Sequence, residues 1–212
     1  MGVSKAVLGD PSIVKAMLQG GVRFIADSRI ENIEKMKAAG IPAPIVLLRT
    51  PLSQAEAVVK SADISLNTEI ETLKKLSFFA NIHDKIHQVI LVVELGDLRE
   101  GILPCDIFKF IRKALVLSHI NIVGIGCNLA CYGGVKPDDT NMNELSDLFD
   151  TIEKDFHIGL AIISGGNSAN YEWYQSTGDV GKINNLRLGE SILLGLETLN
   201  RNAIPRLHTD CL

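Results

Sequence analysis

Short runs of aliphatic and β-branched residues alternate with longer amphipathic segments along the whole chain. A short apolar run bounded by turn residues is typical of a strand, and apolar residues at every third or fourth position are typical of a helix. The pattern predicts strands at residues 2–8, 22–27, 45–48, 63–66, 89–95, 120–125, 160–163 and 185–188. It predicts a helix after each strand. The first two lie at 11–18 and about 29–39, the third follows Pro51, and the fourth follows the strand at 63–66 and ends at about 79. The fifth follows Pro104, the sixth spans about 138–156, the seventh begins at about 169 and the eighth spans about 191–199.

Eight successive strand-then-helix units favour an α/β fold with one closed (β/α)8 TIM barrel, because helical crossovers join parallel strands. The run at 89–95 is nearly all apolar, as expected of a strand covered on both faces. An open doubly wound sheet is the alternative. Its phosphate loop would be a glycine-rich turn after the first strand, whereas Lys5 to Asp10 contains no G-x-G-x-x-G.

Length and charge narrow the class of protein. The 212 residues suit a single domain, and 46% of them are hydrophobic, enough for a sizeable core. The net charge of -4, without a basic block, argues against nucleic acid or an anionic membrane as a partner. No apolar run reaches the roughly 18 residues of a membrane span. The four cysteines form no C-x-x-C pair, and we interpret them as reduced thiols of a cytoplasmic protein.

Polar or charged residues follow every predicted strand. In this barrel the active site lies at the carboxyl ends of the strands. The residues at those positions are Lys5, Asp27, Ser28, Arg29, Arg49, Asn67, Asp97, Arg99, Asn128, Tyr132, Ser164, Gly165, Gly166, Asn167, Ser168, Arg187, Gly189 and Glu190. Any one of them could be a helix cap, but their coincidence in eight units predicts a polar cavity. Five of them are cationic, so an anionic ligand would fit.

Two segments indicate a phosphate site. Ser-Gly-Gly-Asn-Ser (164–168) lies between the seventh predicted strand and a helix, where glycines let the backbone approach an anion. Asn-Asn-Leu-Arg-Leu-Gly-Glu-Ser (184–191) offers a second helix start. Phosphate sites after strands seven and eight recur in this barrel. The glycine loop alone is equally compatible with a tight turn.

Lys5 lies within the apolar run Val-Ser-Lys-Ala-Val (3–7). A lysine buried there requires a lowered pKa or a covalent bond, and such an amine can form a Schiff base with a carbonyl. Strand alternation could instead direct it to solvent at a frayed chain end.

Seven short motifs occur in order along the chain. They are Gly-Val-Ser-Lys (2–5), Gly-Asp-Pro (9–11), Asp-Ser-Arg-Ile-Glu-Asn (27–32), Glu-Leu-Gly-Asp-Leu-Arg-Glu-Gly-Ile (94–102), Asn-Leu-Ala-Cys-Tyr-Gly (128–133), Ser-Gly-Gly-Asn-Ser (164–168) and Asn-Asn-Leu-Arg-Leu-Gly-Glu (184–190). Through them the sequence resembles the alanine racemase-like, fold type III pyridoxal phosphate (PLP) proteins, and most closely their ornithine racemase-like branch.

The resemblance implies a role for each matching residue. Lys5 would hold PLP as the internal aldimine and act as one proton-transfer base. Arg187 would face the pyridine nitrogen and keep it largely unprotonated, with Asn128 and Ser164 beside the ring. Ser168 and the N–H groups of the turns at Gly166, Asn167, Gly189 and Glu190 would hold the phosphate. Arg99 and Tyr132 would contact the amino-acid substrate.

The resemblance also sets expectations for the chain ends. We expect one PLP-binding barrel over residues 1–212, shortened at both ends relative to the family. We expect it to lack the C-terminal β-domain that supplies a tyrosine as second base, usually from a partner subunit. The family is often dimeric, so a homodimer is one expected assembly.

Three hypotheses follow. The first is a PLP-dependent amino-acid racemase, or its barrel domain, which removes the α-proton. The second is a single-domain PLP carrier or homeostasis protein without racemase activity. The third is a barrel that binds another anion. For a basic substrate side chain, Asp10, Asp27 and Asp97 are candidate acidic partners, although each could equally be a cap.

Overall fold

Seven parallel strands pair in sequence order to form one curved sheet. The computed structural model describes residues 1–130 and 134–205 of the chain. The strands are β1 (Gly2–Val3), β2 (Ile25–Asp27), β3 (Ile45–Leu47), β4 (Ile64–Asn67), β5 (His87–Val93), β6 (Ile120–Cys127) and β7 (Ile162–Ser164). The helices are α1 (Pro11–Gln19), α2 (Ile30–Ala38), α3 (Ala55–Ser61), α4 (Ile70–Ile82), α5 (Ile107–Ala114), α6 (Asp139–Phe156), α7 (Asn170–Ser176) and α8 (Glu190–Leu194).

The segment 184–188 joins the two edge strands and closes the barrel. Asn185 forms a parallel bridge with Ser164 of β7, and Leu188 forms one with Gly2 of β1. The side chain of Asn184 adds a hydrogen bond from Ile163 N–H to its Oδ1, at 2.9 Å. The eighth predicted strand is therefore present as isolated bridges rather than as a continuous strand. The predicted (β/α)8 architecture is confirmed.

Two apolar layers hold the fold together, because successive side chains of a strand point to opposite faces. The inner layer comes from alternate positions of neighbouring strands, namely Val3, Ala26, Val46, Ile64, Leu66, Ile90, Val92 and Ile162. The outer layer packs the other strand face against the helices, with Ile25, Leu47, Leu91 and Ile125 fully buried. A filled interior leaves the loops at the strand ends as the place for a ligand.

Two predicted elements end earlier than the sequence indicates. The first predicted strand, 2–8, stops at Val3, and Lys5–Val7 form a 3-10 turn. This turn ends at Leu8 and Gly9, both in the left-handed region with φ near +52° and +59°. The last predicted helix, 191–199, instead spans Glu190–Leu194, because Gly195 ends it with φ of +64°.

No helix among residues 1–130 and 134–205 combines the length and the apolarity that crossing a bilayer requires.

Candidate functional site

A cavity of about 490 Å³ opens at the carboxyl ends of the strands. The loops after β1, β2, β3, β5, β6 and β7 and the segment 184–190 contribute to its lining, and β4 contributes Leu66. The lining residues are Val3, Lys5, Ser28, Arg29, Leu48, Arg49, Leu66, Arg99, Glu100, Asn128, Ala130, Asn167, Ser168, Arg187, Gly189, Glu190 and Thr198. The volume lies in the range that small-molecule and cofactor sites occupy.

The cavity wall carries a surplus of positive charge, with five basic side chains and two acidic ones. Glu100 accepts hydrogen bonds from Arg49 Nε at 3.0 Å and from Arg99 Nη2 at 2.8 Å. Glu190 pairs with Arg201 outside the cavity wall. The acidic groups are thus already balanced by arginines, and the remaining charge favours an anionic ligand.

Lys5 reaches the cavity from the 3-10 turn directly after β1. Its neighbour Ser4 is buried and donates a hydrogen bond of 2.8 Å to Oδ2 of the buried Asp27. Asp10 caps α1 by accepting from Ser12 N–H and Ile13 N–H, which fixes the other end of the turn. Within residues 1–130 and 134–205, no side chain forms a hydrogen bond or ion pair with the Lys5 amine. The amine is therefore available to react with a ligand.

Arg187 is the buried cation of the site, with only 4% of its surface exposed. Its guanidinium donates to Ser164 Oγ, to Asn128 Oδ1 and to the Cys127 carbonyl, the last at 2.7 Å. Its own N–H donates to the carbonyl of Gly166 at 2.9 Å. Burial lowers the pKa of Arg187, yet a guanidinium keeps its proton in proteins. The site therefore holds a fixed hydrogen-bond donor that does not titrate.

The turn after β7 requires a glycine at position 166. Gly166 has φ of +139°, and a side chain there would collide with Oδ1 of Asn170. That same Oδ1 accepts from Asn167 N–H, while Asn170 Nδ2 donates to the Gly165 carbonyl at 2.7 Å. Asn167 in turn donates to the Leu129 carbonyl at 2.9 Å. These bonds fix the turn that carries Ser168.

Ser168 lies beside the start of α8. Its Oγ accepts from Gly189 N–H at 3.2 Å and from Ser191 N–H at 3.3 Å. Two turns that are distant in sequence thus meet at one hydroxyl, at the edge of the cavity. Backbone N–H groups and a hydroxyl in this arrangement suit the oxygens of a phosphate.

Most of the residues predicted from strand ends meet at this cavity, namely Lys5, Ser28, Arg29, Arg49, Arg99, Asn128, Asn167, Ser168, Arg187, Gly189 and Glu190. Ser164 and Gly166 lie behind the wall, where they hold Arg187. Tyr132 lies outside the described residues. Sequence reasoning missed Glu100 and Thr198. Glu100 directly follows Arg99, and this adjacency could have indicated it. Thr198 lay inside the predicted helix 191–199, whereas the observed helix ends at Leu194.

The three aspartates proposed for a basic substrate do not line the cavity. Asp10 caps α1. Asp27 is fully buried and accepts from Ser4, from Arg29 N–H and from Asn32 Nδ2. Asp97 is buried beside Arg99, with 3.8 Å between Oδ2 and Nε. Each carboxylate therefore serves the fold locally.

Cys127 is buried, and its Sγ donates to the Gly165 carbonyl at 3.2 Å. Burial raises the pKa of this thiol to about 12, so it is not a nucleophile at neutral pH. In the part of the chain that the structure describes, no three His, Cys, Asp or Glu side chains group as metal ligands.

The family model for the alanine racemase N-terminal domain matches residues 1–196. An ornithine racemase of Acetoanaerobium sticklandii is 42% identical over 211 residues, covering 98% of this chain and 59% of that protein. A lysine racemase of Thermotoga maritima is 34% identical over 209 residues, covering 98% and 58%. The chain thus spans somewhat over half the length of these relatives.

Among solved structures, the alanine racemase of Clostridium difficile 630 in complex with cycloserine superposes with a TM-score of 0.75 at 21% identity. The match covers 89% of this chain and 52% of that one. It supports the fold described above.

Proposed function

Because the chain belongs to the alanine racemase N-terminal domain family, we propose that it is the PLP-binding catalytic barrel of an amino-acid racemase. Proteins of this family use PLP. The names of the two relatives, an ornithine racemase and a lysine racemase, favour a diamino acid as the substrate. The observation that carries the proposal is the meeting of Lys5, Arg187 and Ser168 at one cationic cavity.

The residues of the cavity fit PLP group by group. Lys5 supplies the amine that the cofactor's aldehyde requires. Ser168 supplies a hydroxyl donor for a phosphate, whose oxygens would replace Ser168 Oγ as acceptors of the Gly189 N–H, and the surplus of arginines balances its charge. Gly189 packs closely against β1, since a side chain there would lie 3.1 Å from Val3 Cβ, and this close packing fixes the position of its N–H.

Arg187 would serve the ring nitrogen. When bound, PLP delocalises the electron pair that remains when a substrate loses its α-proton. Arg187 donates hydrogen bonds and keeps its own proton, so it would leave the ring nitrogen unprotonated. Ser164 and Asn128 orient the guanidinium, because both accept from it.

Lys5 and Arg99 would act on the substrate. Lys5 Nζ, released from the cofactor, would accept and return a proton at the α-carbon. Arg99 would bind the substrate carboxylate. Racemisation also requires a proton donor on the opposite face. Since no tyrosine, histidine or cysteine among the described residues lines the cavity, we propose that a second domain or a partner subunit supplies that donor.

Two broader features complete the proposal. A cytoplasmic location is supported by Cys127, a free thiol in the described residues. A homodimer is supported by the need for a second proton donor, and sedimentation of the whole protein tests it.

The test begins with the visible absorbance of the chain after incubation with PLP. A Schiff-base band is expected for the wild type and for Lys15→Ala, an exposed lysine on α1, and not for Lys5→Ala. A band that persists in Lys5→Ala contradicts the assignment. Chiral analysis of ornithine, lysine and alanine after incubation with the whole protein then measures racemisation. PLP binding without any isomerisation would instead identify a PLP carrier.

A further inference from the structure

A second, smaller cavity of about 50 Å³ adjoins the main one. Leu48, Arg49, Leu66 and Glu100 line both cavities, so the two share a wall. We call the smaller one the side cavity. A water-sized group needs only about 10–15 Å³ of such space, and an ammonium group is of similar size. The side cavity can therefore hold the polar end of a ligand whose body lies in the main cavity.

Asn67, at the carboxyl end of β4, lines the side cavity and is 3% exposed. Its Nδ2 donates to the Ser65 carbonyl at 3.0 Å and to Ser65 Oγ at 2.9 Å. Both amide hydrogens are used in these bonds. Asn67 Oδ1 is buried and has no donor among the described residues. Because a buried acceptor without a donor is costly, this oxygen favours a ligand that brings a donor.

The orientation of the Asn67 amide is fixed from behind. Ser65 Oγ lies 2.8 Å from His87 Nε2 on the neighbouring strand β5. Burial lowers the pKa of His87 to about 4, so the imidazole is neutral at neutral pH. Since the Ser65 oxygen accepts from Asn67, its hydroxyl donates to the imidazole. The amide cannot turn over without breaking this chain of hydrogen bonds, so Oδ1 stays available as an acceptor.

The charges around the side cavity also suit a cation. Two carboxylates, Glu69 and Glu100, and one guanidinium, Arg49, line it. Glu100 is engaged by two arginines. Glu69 is exposed, and no basic side chain in the described ranges pairs with it. A cationic ligand would therefore meet an uncompensated carboxylate beside a buried hydrogen-bond acceptor.

We propose that the side cavity binds the side-chain ammonium of a diamino acid substrate, with Asn67 as hydrogen-bond acceptor and Glu69 as counter-ion. This proposal rests on the proposed function, since it places the substrate's amino-acid group in the main cavity. The preference for a basic side chain is thereby assigned to the loop after β4. Asn67 and Glu69 thereby take the role of partners for a basic side chain that the sequence had indicated for Asp10, Asp27 and Asp97.

The experiment measures binding by the full chain loaded with PLP, using isothermal titration. Ornithine is compared with norleucine, which has the same number of side-chain heavy atoms but a methyl group in place of the ammonium. The wild type is expected to bind ornithine at least about tenfold more tightly. Asn67→Leu removes the acceptor, and Glu69→Gln removes the charge. Each is expected to abolish most of the preference, chiefly by weakening ornithine binding.

Glu71→Gln is the matched control, because Glu71 lies in the first turn of α4, two residues after the N-cap Glu69, but pairs with Lys74 away from the side cavity. It is expected to keep the wild-type preference. If Asn67→Leu fails to fold, the exposed Glu69 still decides the outcome. A preference that Glu69→Gln, or a folded Asn67→Leu, leaves intact overturns the proposal, as does a wild type without any preference. PLP uptake and racemisation, measured separately, decide the proposed function.

Discussion

Arg187 donates a hydrogen bond to Ser164 Oγ, and that hydroxyl donates its own proton to Asn185 Oδ1 at 3.1 Å. The bond from Arg187 therefore belongs to a directed chain that ends on the segment closing the barrel. The guanidinium also donates hydrogen bonds to Asn128 Oδ1 and to the Cys127 carbonyl, at the end of β6. One buried side chain thus joins β6, β7 and the segment 184–188 at the floor of the cavity.

Arg187→Lys is expected to lower the free energy of unfolding by about 2–3 kcal/mol, because one ammonium cannot satisfy three separated acceptors in a buried position. Urea denaturation monitored by circular dichroism measures the change. Arg23→Lys, at an exposed position, is the control and should unfold like the wild type. Equal stability of the two variants would show that the three bonds contribute little.

Ser168→Ala is expected to weaken PLP binding about five- to tenfold and to leave pyridoxal binding almost unchanged. The hydroxyl lies between the two turns assigned to the phosphate, and pyridoxal has no phosphate. Fluorescence titration with both compounds measures the two affinities. Ser176→Ala, on the exposed end of α7, should leave both unaltered. A parallel loss of affinity for both compounds would place Ser168 elsewhere in the site.

Gly166→Ala is expected to destabilise the protein by about 2 kcal/mol or more, since the backbone there has φ of +139° and the new methyl group would collide with Asn170. Thermal unfolding measures the shift in Tm. Gly178→Ala is the matched control, because a Cβ at that position has no atom within 4 Å. A Gly166→Ala variant as stable as Gly178→Ala would contradict the strained geometry of this turn.

The stability of the protein is expected to fall as the pH falls from about 6.5 to about 4. Burial, with Lys85 nearby, lowers the pKa of His87 to about 4 in the folded protein, and the value in the unfolded chain is about 6.5. Between these values the unfolded chain binds more protons, so protonation favours unfolding, by about 3 kcal/mol at the acid end. His87→Gln cannot take up this proton, and its stability should depend less on pH in this window. Denaturant titrations of both proteins at several pH values measure the difference, and identical profiles would exclude His87 as the source.

The sequence predicts the barrel well because the strands are short apolar runs and the helices amphipathic, so their order follows from local pattern alone. The prediction that Lys5 lies within the first strand was less accurate. The run Val-Ser-Lys-Ala-Val appears strand-like, but Ser4 bonds to Asp27, and Lys5–Val7 form a 3-10 turn that ends where Leu8 and Gly9 have positive φ. A contact between residues 4 and 27 leaves no trace in local periodicity.

The side cavity could not be predicted from the sequence for a related reason. Asn67 was visible as a strand-end residue, yet its role depends on which of its amide atoms lacks a partner. That is decided by Ser65 and by His87 on another strand. Likewise, the sequence leaves open whether Asp10 and Asp27 bind a substrate or serve as caps, and in the fold neighbouring donors satisfy both carboxylates.

Because residues 184–188 close the barrel, the cofactor site is complete only in chains whose first and last barrel segments have paired. Lys5 and Arg187 come from opposite ends of the described chain and meet only when Val3 N–H bonds to the Leu188 carbonyl. Contacts of such long sequence separation form late and slowly. A ligand held by both ends at 100 times its Kd would stabilise the closed barrel by about 2.7 kcal/mol. An incompletely folded chain would carry the reactive lysine without a site around it, and saturation with the cofactor would therefore measure the fraction of chains that have closed.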